Sequence, residues 1–200
     1  IVDCSQSLGG LGISNTELDL IDVLVGASYK WLLGPYGTAF AYFSTQAYKM
    51  IHRTHGNWLA SINSRDANNL LKYTIRTLPG ARKFDRGQTP NMVAMSLLKG
   101  SLELINEIGL NVIEKHNHGL ITFFLTHFPK KKFHLVTNCT HSYGNIVCIK
   151  AKDLDSIKLA ECLKKNNIDC SIREGNLRLS FHLFNTLNQV NKLLDVLNSI

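Results

Sequence analysis

The sequence contains no Cys-x-x-Cys pair, and its five cysteines, at positions 4, 139, 148, 162 and 170, are an odd number. That removes the usual zinc-ligand spacing and argues against a disulfide framework. The thiols fit a reducing compartment, and a cytoplasmic protein is expected. Asn138-Cys139-Thr140 matches a glycosylation sequon, but no signal-peptide pattern accompanies it. The longest apolar run, around GLITFFLTHF (119–128), is too short to span a bilayer. A dense basic patch is also missing. Lys and Arg total 22 against 15 acids, a formal charge of +7, yet they are scattered, and the only run is Lys130-Lys131-Lys132. A scattered excess reads as a solvated surface, so neither nucleic acid nor a membrane is expected as partner. Repeats and low-complexity segments are absent. So is an initial methionine: the chain opens on IVDCSQSLGG, already inside a strand-like run. The expectation is the C-terminal part of a longer protein.

What is present is material for a core. Hydrophobic residues make up 44% of 200, enough for one large domain or two small ones. The first part alternates short apolar runs with turns. IVDC (1–4) and DVLVGAS (22–28) read as buried strands of a parallel sheet, because they are continuous rather than alternating. ISNTELDL (13–20) supplies a short helical crossover. TAFAYFS (38–44) is a third strand, entered through a Gly-Pro-Tyr-Gly turn. Residues 52–90 are polar and read as a long loop with a short helix near ANNLLKY (67–73). Loops of that length are usually functional or meet a partner, which makes Asn57 and Trp58 candidates for a substrate entrance.

Two helices follow. MVAMSLLKGSLELINEI (92–108) carries apolar residues near the helical period and should stop at Gly109. NVIEKHNHGLITFFLTHF (111–128) is ended by Pro129. The pattern then changes to strands at FHLVT (133–137), GNIVCIK (144–150), IDCSIR (168–173) and NLRLSF (176–181). Amphipathic helices are expected at 154–166 and 186–200. That is an α+β unit. The implied division is a partial large α/β domain over 1–95, linking helices over 96–129 and a small α+β domain over 130–200.

One side chain is out of place in this scheme. Lys30, between Tyr29 and Trp31, ends the DVLVGAS strand. At the carboxyl end of a parallel strand its amine would enter the crevice where open α/β sheets bind ligands. Aromatic neighbours there would raise its nucleophilicity. The competing reading is a lysine that snorkels to the surface with its stem on Trp31. Asp3 ends the other strand of the pair, and Gln6 follows three residues later. Taken singly, Asp3 is a turn-initiating residue and Gln6 a surface one. Taken together, Asp3, Gln6 and Lys30 are what a pyridoxal phosphate enzyme requires. Lysine forms a Schiff base, a carboxylate pairs the pyridinium nitrogen, and an amide reaches the ring hydroxyl.

Four segments, VDCSQSLGGLGI, GASYKWLLGPYGTAFAYFS, ARKFDRGQTPN and NLRLSFHLFNT, occur in an order that resembles the class V aminotransferase family of fold-type I pyridoxal phosphate enzymes. Its members include cysteine desulfurases, selenocysteine lyase, kynureninase and isopenicillin-N-epimerase-like proteins. The resemblance runs from residue 1 to 200. It implies that Lys30 is the Schiff-base lysine, that Asp3 and Gln6 hold the ring, and that Tyr29 is a phosphate ligand. Thr89 matches a threonine that reaches the phosphate of the neighbouring subunit, and Arg178 matches the arginine that grips the substrate carboxylate. It also implies an amino-acid substrate, transamination or elimination chemistry, and a homodimer with a shared site. Ala27 stands where the family has serine, which leaves Ser28 as the nearby hydroxyl. Some desulfurases carry a nucleophilic cysteine on a lobe before the carboxylate-binding arginine. Here Cys170 precedes Arg178 across a tight REGN turn and alternates with Ser171, so it reads as structural. His182 and Asn185 also read as structural, with Asn185 or Thr186 capping the last helix.

Overall fold

A computed structural model describes residues 1–51, 57–64, 66, 68, 71, 74–87, 91–137 and 144–200. The expected helix near 67–73 falls mostly outside them, and Thr89 and the Asn138 sequon fall wholly outside. The described strands form two sheets, one of three strands and one of four.

In the first sheet, β1 (Val2–Asp3) and β2 (Val23–Ala27) are parallel, with Val2 opposite Leu24 and Asp3 opposite Val25. Both therefore end on the same side. β3 (Ala39–Phe43) returns antiparallel to β2, with Ala27 opposite Ala39. The expected burial of the first strand is corrected: Val2 is 42% exposed, because β1 pairs only with β2 and nothing described covers its faces. Cys4, just beyond it, is buried, and its thiol donates to the Val25 carbonyl at 3.2 Å. The crossover contains α1 (Asn15–Leu18). A capping box starts it: the Glu17 N–H donates to the Ser14 hydroxyl at 3.2 Å, and the Ser14 N–H to the Glu17 carboxylate at 2.8 Å.

A helix that the apolar pattern does not announce, α2 (Thr45–Met50), follows β3. It buries only Ala47, too little to generate a period. Its ends are what hold it. Ser44 accepts the Ala47 N–H at 3.1 Å, and the buried Lys83 ammonium donates to the Tyr48 and Ile51 carbonyls at 2.5 and 3.1 Å.

α3 (Met92–Ile108) begins on an Asn91 cap and stops at Gly109, which takes φ +88°. α4 (Leu110–Thr126) ends short of Pro129. Much of the apolar surface of α3, including Met92, Val93, Leu97 and Leu104, is exposed. The second sheet comprises β4 (Phe133–Leu135), β5 (Ile146–Ala151), β6 (Ser171–Arg173) and β7 (Asn176–Ser180), in the order β4-β5-β7-β6 and antiparallel throughout. Glu174 and Gly175 form the two-residue turn between β6 and β7, both at positive φ, which lets the strands keep their twist. α5 (Ser156–Lys165) and α6 (Leu187–Ser199) pack on this sheet with α4. Val147, Ile149, Leu177 and Leu179 meet Phe124, Leu159, Leu163, Val190 and Leu197 in one core. Each such side chain contributes roughly 1.5–3 kcal/mol by leaving water. Strand alternation then sends the side chain between Leu177 and Leu179, that of Arg178, to the opposite face.

Candidate active site

Lys30 stands where β2 ends and the chain reverses. The reversal is held by short polar contacts. Gly34 N–H donates to the Ser28 carbonyl at 2.8 Å, and Leu33, at φ +55°, donates to the Lys30 carbonyl at 3.1 Å. Ser28 is fully buried, and its hydroxyl is engaged with the Thr38 hydroxyl and donates to the Thr38 carbonyl at 2.9 Å. From α3, the Ser101 hydroxyl donates to the Leu33 carbonyl at 2.7 Å. The Ser28 alternative for a phosphate contact is therefore corrected: that hydroxyl is consumed inside the turn. Lys30 is half-buried. Its ammonium lies 5.6 Å from the centre of the Tyr29 ring, a weak cation–π contact, and Tyr29 stacks on Tyr36 at 4.6 Å.

Asp3 ends β1 beside this turn. The Ser5 hydroxyl and the Ser5 N–H, the latter at 2.8 Å, hold its carboxyl below the usual range, and the charge of Lys30 acts in the same direction. Ser5 also accepts the Ala27 N–H at 2.9 Å, so one serine joins the ends of both strands. It went unnoticed in the sequence, although Asp3-Cys4-Ser5 is a plain Asx-turn signal.

Arg178 approaches from the second sheet. Its Nε–H donates to the Ser171 hydroxyl at 3.1 Å, which fixes the plane of the guanidinium and leaves the two terminal nitrogens unengaged among the described residues. A cleft of about 590 Å³ opens between the two sheets, and Gln6, Lys30, Trp31, Arg178, Ser180 and His182 are on its walls. Its size lies within the usual range for small-molecule sites. Gln6, Lys30 and Arg178 are thus brought together. Asp3 and Tyr29 adjoin Lys30 without lining the cleft. Asn57 and Trp58 are not among its lining residues; Asn57 caps a 3₁₀ turn at Trp58–Ala60 by accepting the Leu59 N–H at 2.9 Å.

Three further side chains decide the geometry. Trp31 is 5% exposed and stacks at a tilt on His182, ring centres 4.8 Å apart. The buried His182 ring accepts the Leu183 N–H at Nδ1, at 2.7 Å, so Nε2 carries the hydrogen and donates to the Trp31 carbonyl at 3.0 Å. Burial pulls the His182 pKa down, and the bond to Trp31 opposes this. Asn185 accepts the His182 N–H at 2.9 Å, while Thr186 and Gln189 form the capping box of α6. Cys170, by contrast, has its thiol pKa raised, first by burial and then by Asp169, as befits a structural thiol. Among the described residues no cluster of His, Cys, Asp or Glu could hold a metal, and no helix is long and apolar enough to cross a membrane.

Comparison with known proteins agrees with this architecture. The family model for class V aminotransferases matches residues 1–193, and the chain belongs to that family. It is similar to an uncharacterized aminotransferase, YcbU, of Bacillus subtilis (strain 168), with 26% identity over 194 residues, 97% of this chain and 49% of that protein. Among solved structures it resembles the apo cysteine desulfurase of Thermococcus onnurineus NA1 (TM-score 0.81, 20% identity), covering 98% of this chain and 51% of that one. It also resembles a mutant of the lyase C-DES with glycine covalently linked to the PLP cofactor (TM-score 0.82, 17% identity), covering 96% and 49%. The fold is that of these enzymes, and the chain spans about half the length of the relatives it matches.

Proposed function

We propose that this chain forms part of a pyridoxal-phosphate-dependent enzyme that acts on an amino acid by transamination or elimination. The observation that carries the reading is the convergence of Lys30, Gln6 and Arg178 on one cleft, with a carboxylate, Asp3, held ionised beside Lys30. These groups fit the cofactor. Asp3 offers a lasting negative charge for a pyridinium nitrogen, Gln6 a donor for the ring hydroxyl, and Lys30 the amine for covalent attachment. Tyr29 is the phosphate ligand on this chain, and Thr89 is proposed to reach the phosphate of a second copy. Once bound, the cofactor would withdraw electrons from the substrate carbon.

Arg178 binds the substrate carboxylate through its two terminal nitrogens, a bidentate arrangement that fixes orientation as well as charge. Lys30, at the opposite wall, takes and returns the proton at its amine. A desulfurase of the kind that carries its nucleophilic cysteine on a lobe before Arg178 would need room there, and the two-residue Glu174-Gly175 turn between β6 and β7 supports the aminotransferase or lyase reading over it. The enzyme is proposed to work in the cytoplasm as a homodimer with a shared site. The free thiols among the described residues and the exposed apolar surface of α3 support this. The test is borohydride reduction of the intact protein after incubation with pyridoxal phosphate, followed by peptide mass mapping. Pyridoxyl on Lys30, absent in Lys30→Ala, is the expected result. Absence of cofactor uptake by the intact protein would instead mark a non-catalytic remnant of the fold.

A further inference from the structure

Three segments of the candidate site meet at a single peptide group. Gly9, at the end of the loop that carries Gln6, approaches the Trp31 carbonyl so closely that a methyl on it would lie 2.5 Å from the carbonyl carbon and nearer still to the oxygen. Gly10 lies against the Trp31 ring in the same way, also at 2.5 Å. From the other sheet, His182 Nε2–H donates to that carbonyl at 3.0 Å, four residues beyond Arg178 in sequence. Trp31 follows Lys30 directly. Its anchored carbonyl therefore lies one residue beyond the lysine and restrains the turn that carries it.

The His182 ring is itself clamped. Leu183 N–H fixes Nδ1 as the acceptor, and the rings of Trp31 and Phe184 flank it at 4.8 and 5.3 Å. Asn185 holds the His182 backbone at 2.9 Å. A histidine whose two nitrogens have fixed and opposite roles is a rigid strut, since no other tautomer satisfies both bonds.

We propose that His182 is a positioning residue for Lys30: through the Trp31 carbonyl it couples the strand bearing Arg178 to the turn bearing the lysine, so that amine and guanidinium face each other across the cleft at one set separation. The inference rests on the pyridoxal phosphate reading above and adds to it a residue that acts through the Trp31 peptide. Its action is indirect, so its effect should exist only when Lys30 is present to be positioned.

A double-mutant cycle on the intact protein tests this, with pyridoxal phosphate affinity as the readout and thermal unfolding as the check on folding. His182→Phe, which keeps the stacking and removes the donor, is expected to weaken cofactor binding about tenfold with Lys30 in place and less than about twofold in the Lys30→Ala background. His182→Gln, which can still donate toward Trp31, should recover most of the affinity. His182→Asn, which mimics only the Nδ1 acceptor, should not, and this pair decides the matter even if the Phe variant does not fold. Equal losses in both lysine backgrounds would make His182 merely structural and overturn the proposal, as would equal behaviour of Gln and Asn. Wild-type protein that takes up no cofactor would overturn the functional reading itself, a result distinct from either.

Discussion

Gly9→Ala tests the convergence at Trp31 without reference to any reaction. Gly9 has φ +105°, and an added Cβ would sit 2.5 Å from the Trp31 carbonyl carbon and 2.9 Å from the Leu32 nitrogen. Both are backbone atoms, and the carbonyl is anchored by His182, so neither can swing away. The backbone conformation costs about 1–2 kcal/mol for a residue with a side chain. Forcing the loop off the Trp31 peptide adds about 1–3 kcal/mol of overpacking. The sum is roughly 2–5 kcal/mol. Gly175→Ala is the matched control. It has φ +70° but nothing within 4 Å of an added methyl, so only the backbone cost of about 1–2 kcal/mol applies. The assay is urea unfolding of both variants. With a slope of about 2 kcal/mol per molar, the Gly9 midpoint should fall roughly 0.5–1.5 M further than that of Gly175. Equal midpoints would refute the claim that this loop is seated against a fixed carbonyl.

Phe124→Ala should destabilise by about 3–5 kcal/mol in the same assay, since the ring is wholly buried against Phe128 and Phe181. Arg178→Lys should weaken binding of a carboxylate-bearing substrate about 10- to 100-fold by removing the planar fork, measured as a rise in KM or in the Kd of an unreactive amino acid. Stability should also depend on the charge of His182. Its folded pKa lies below the ordinary value near 6.5, so the unfolded chain binds the proton more readily. The His182 contribution is then fully present above about pH 6.5 and is lost as pH falls from there toward the folded pKa. His182→Gln should flatten that part of the profile, and an unchanged slope would refute the assignment.

Much of the scaffold was legible because its signals are local. Ser14 and Glu17 form a capping box readable from spacing, Gly109 ends α3 where a glycine must, and the REGN turn requires two residues at positive φ. The alternation in NLRLS separates Leu177 and Leu179 from Arg178, so the core face and the cleft face of β7 could both be assigned. α2 was illegible for the converse reason. Its helical ends are satisfied by Ser44 and by Lys83, more than thirty residues away, and it buries too little to leave a pattern.

The candidate site divides in the same way. Asp3 and Lys30 stood out by residue type and by their places at or just beyond strand ends, and Gln6 by its spacing from Asp3, whereas Arg178 was singled out only by the family resemblance. Whether four such residues share one space is a matter of chain crossings between distant segments, and only the tertiary structure decided it. The packing placed Gln6, Lys30 and Arg178 on a common cleft and committed the Ser28 hydroxyl to Thr38. It also gave His182 its place. A histidine in FHLFNT has no local reason to touch Trp31, and their bond exists because two sheets dock so that a buried carbonyl needs a donor.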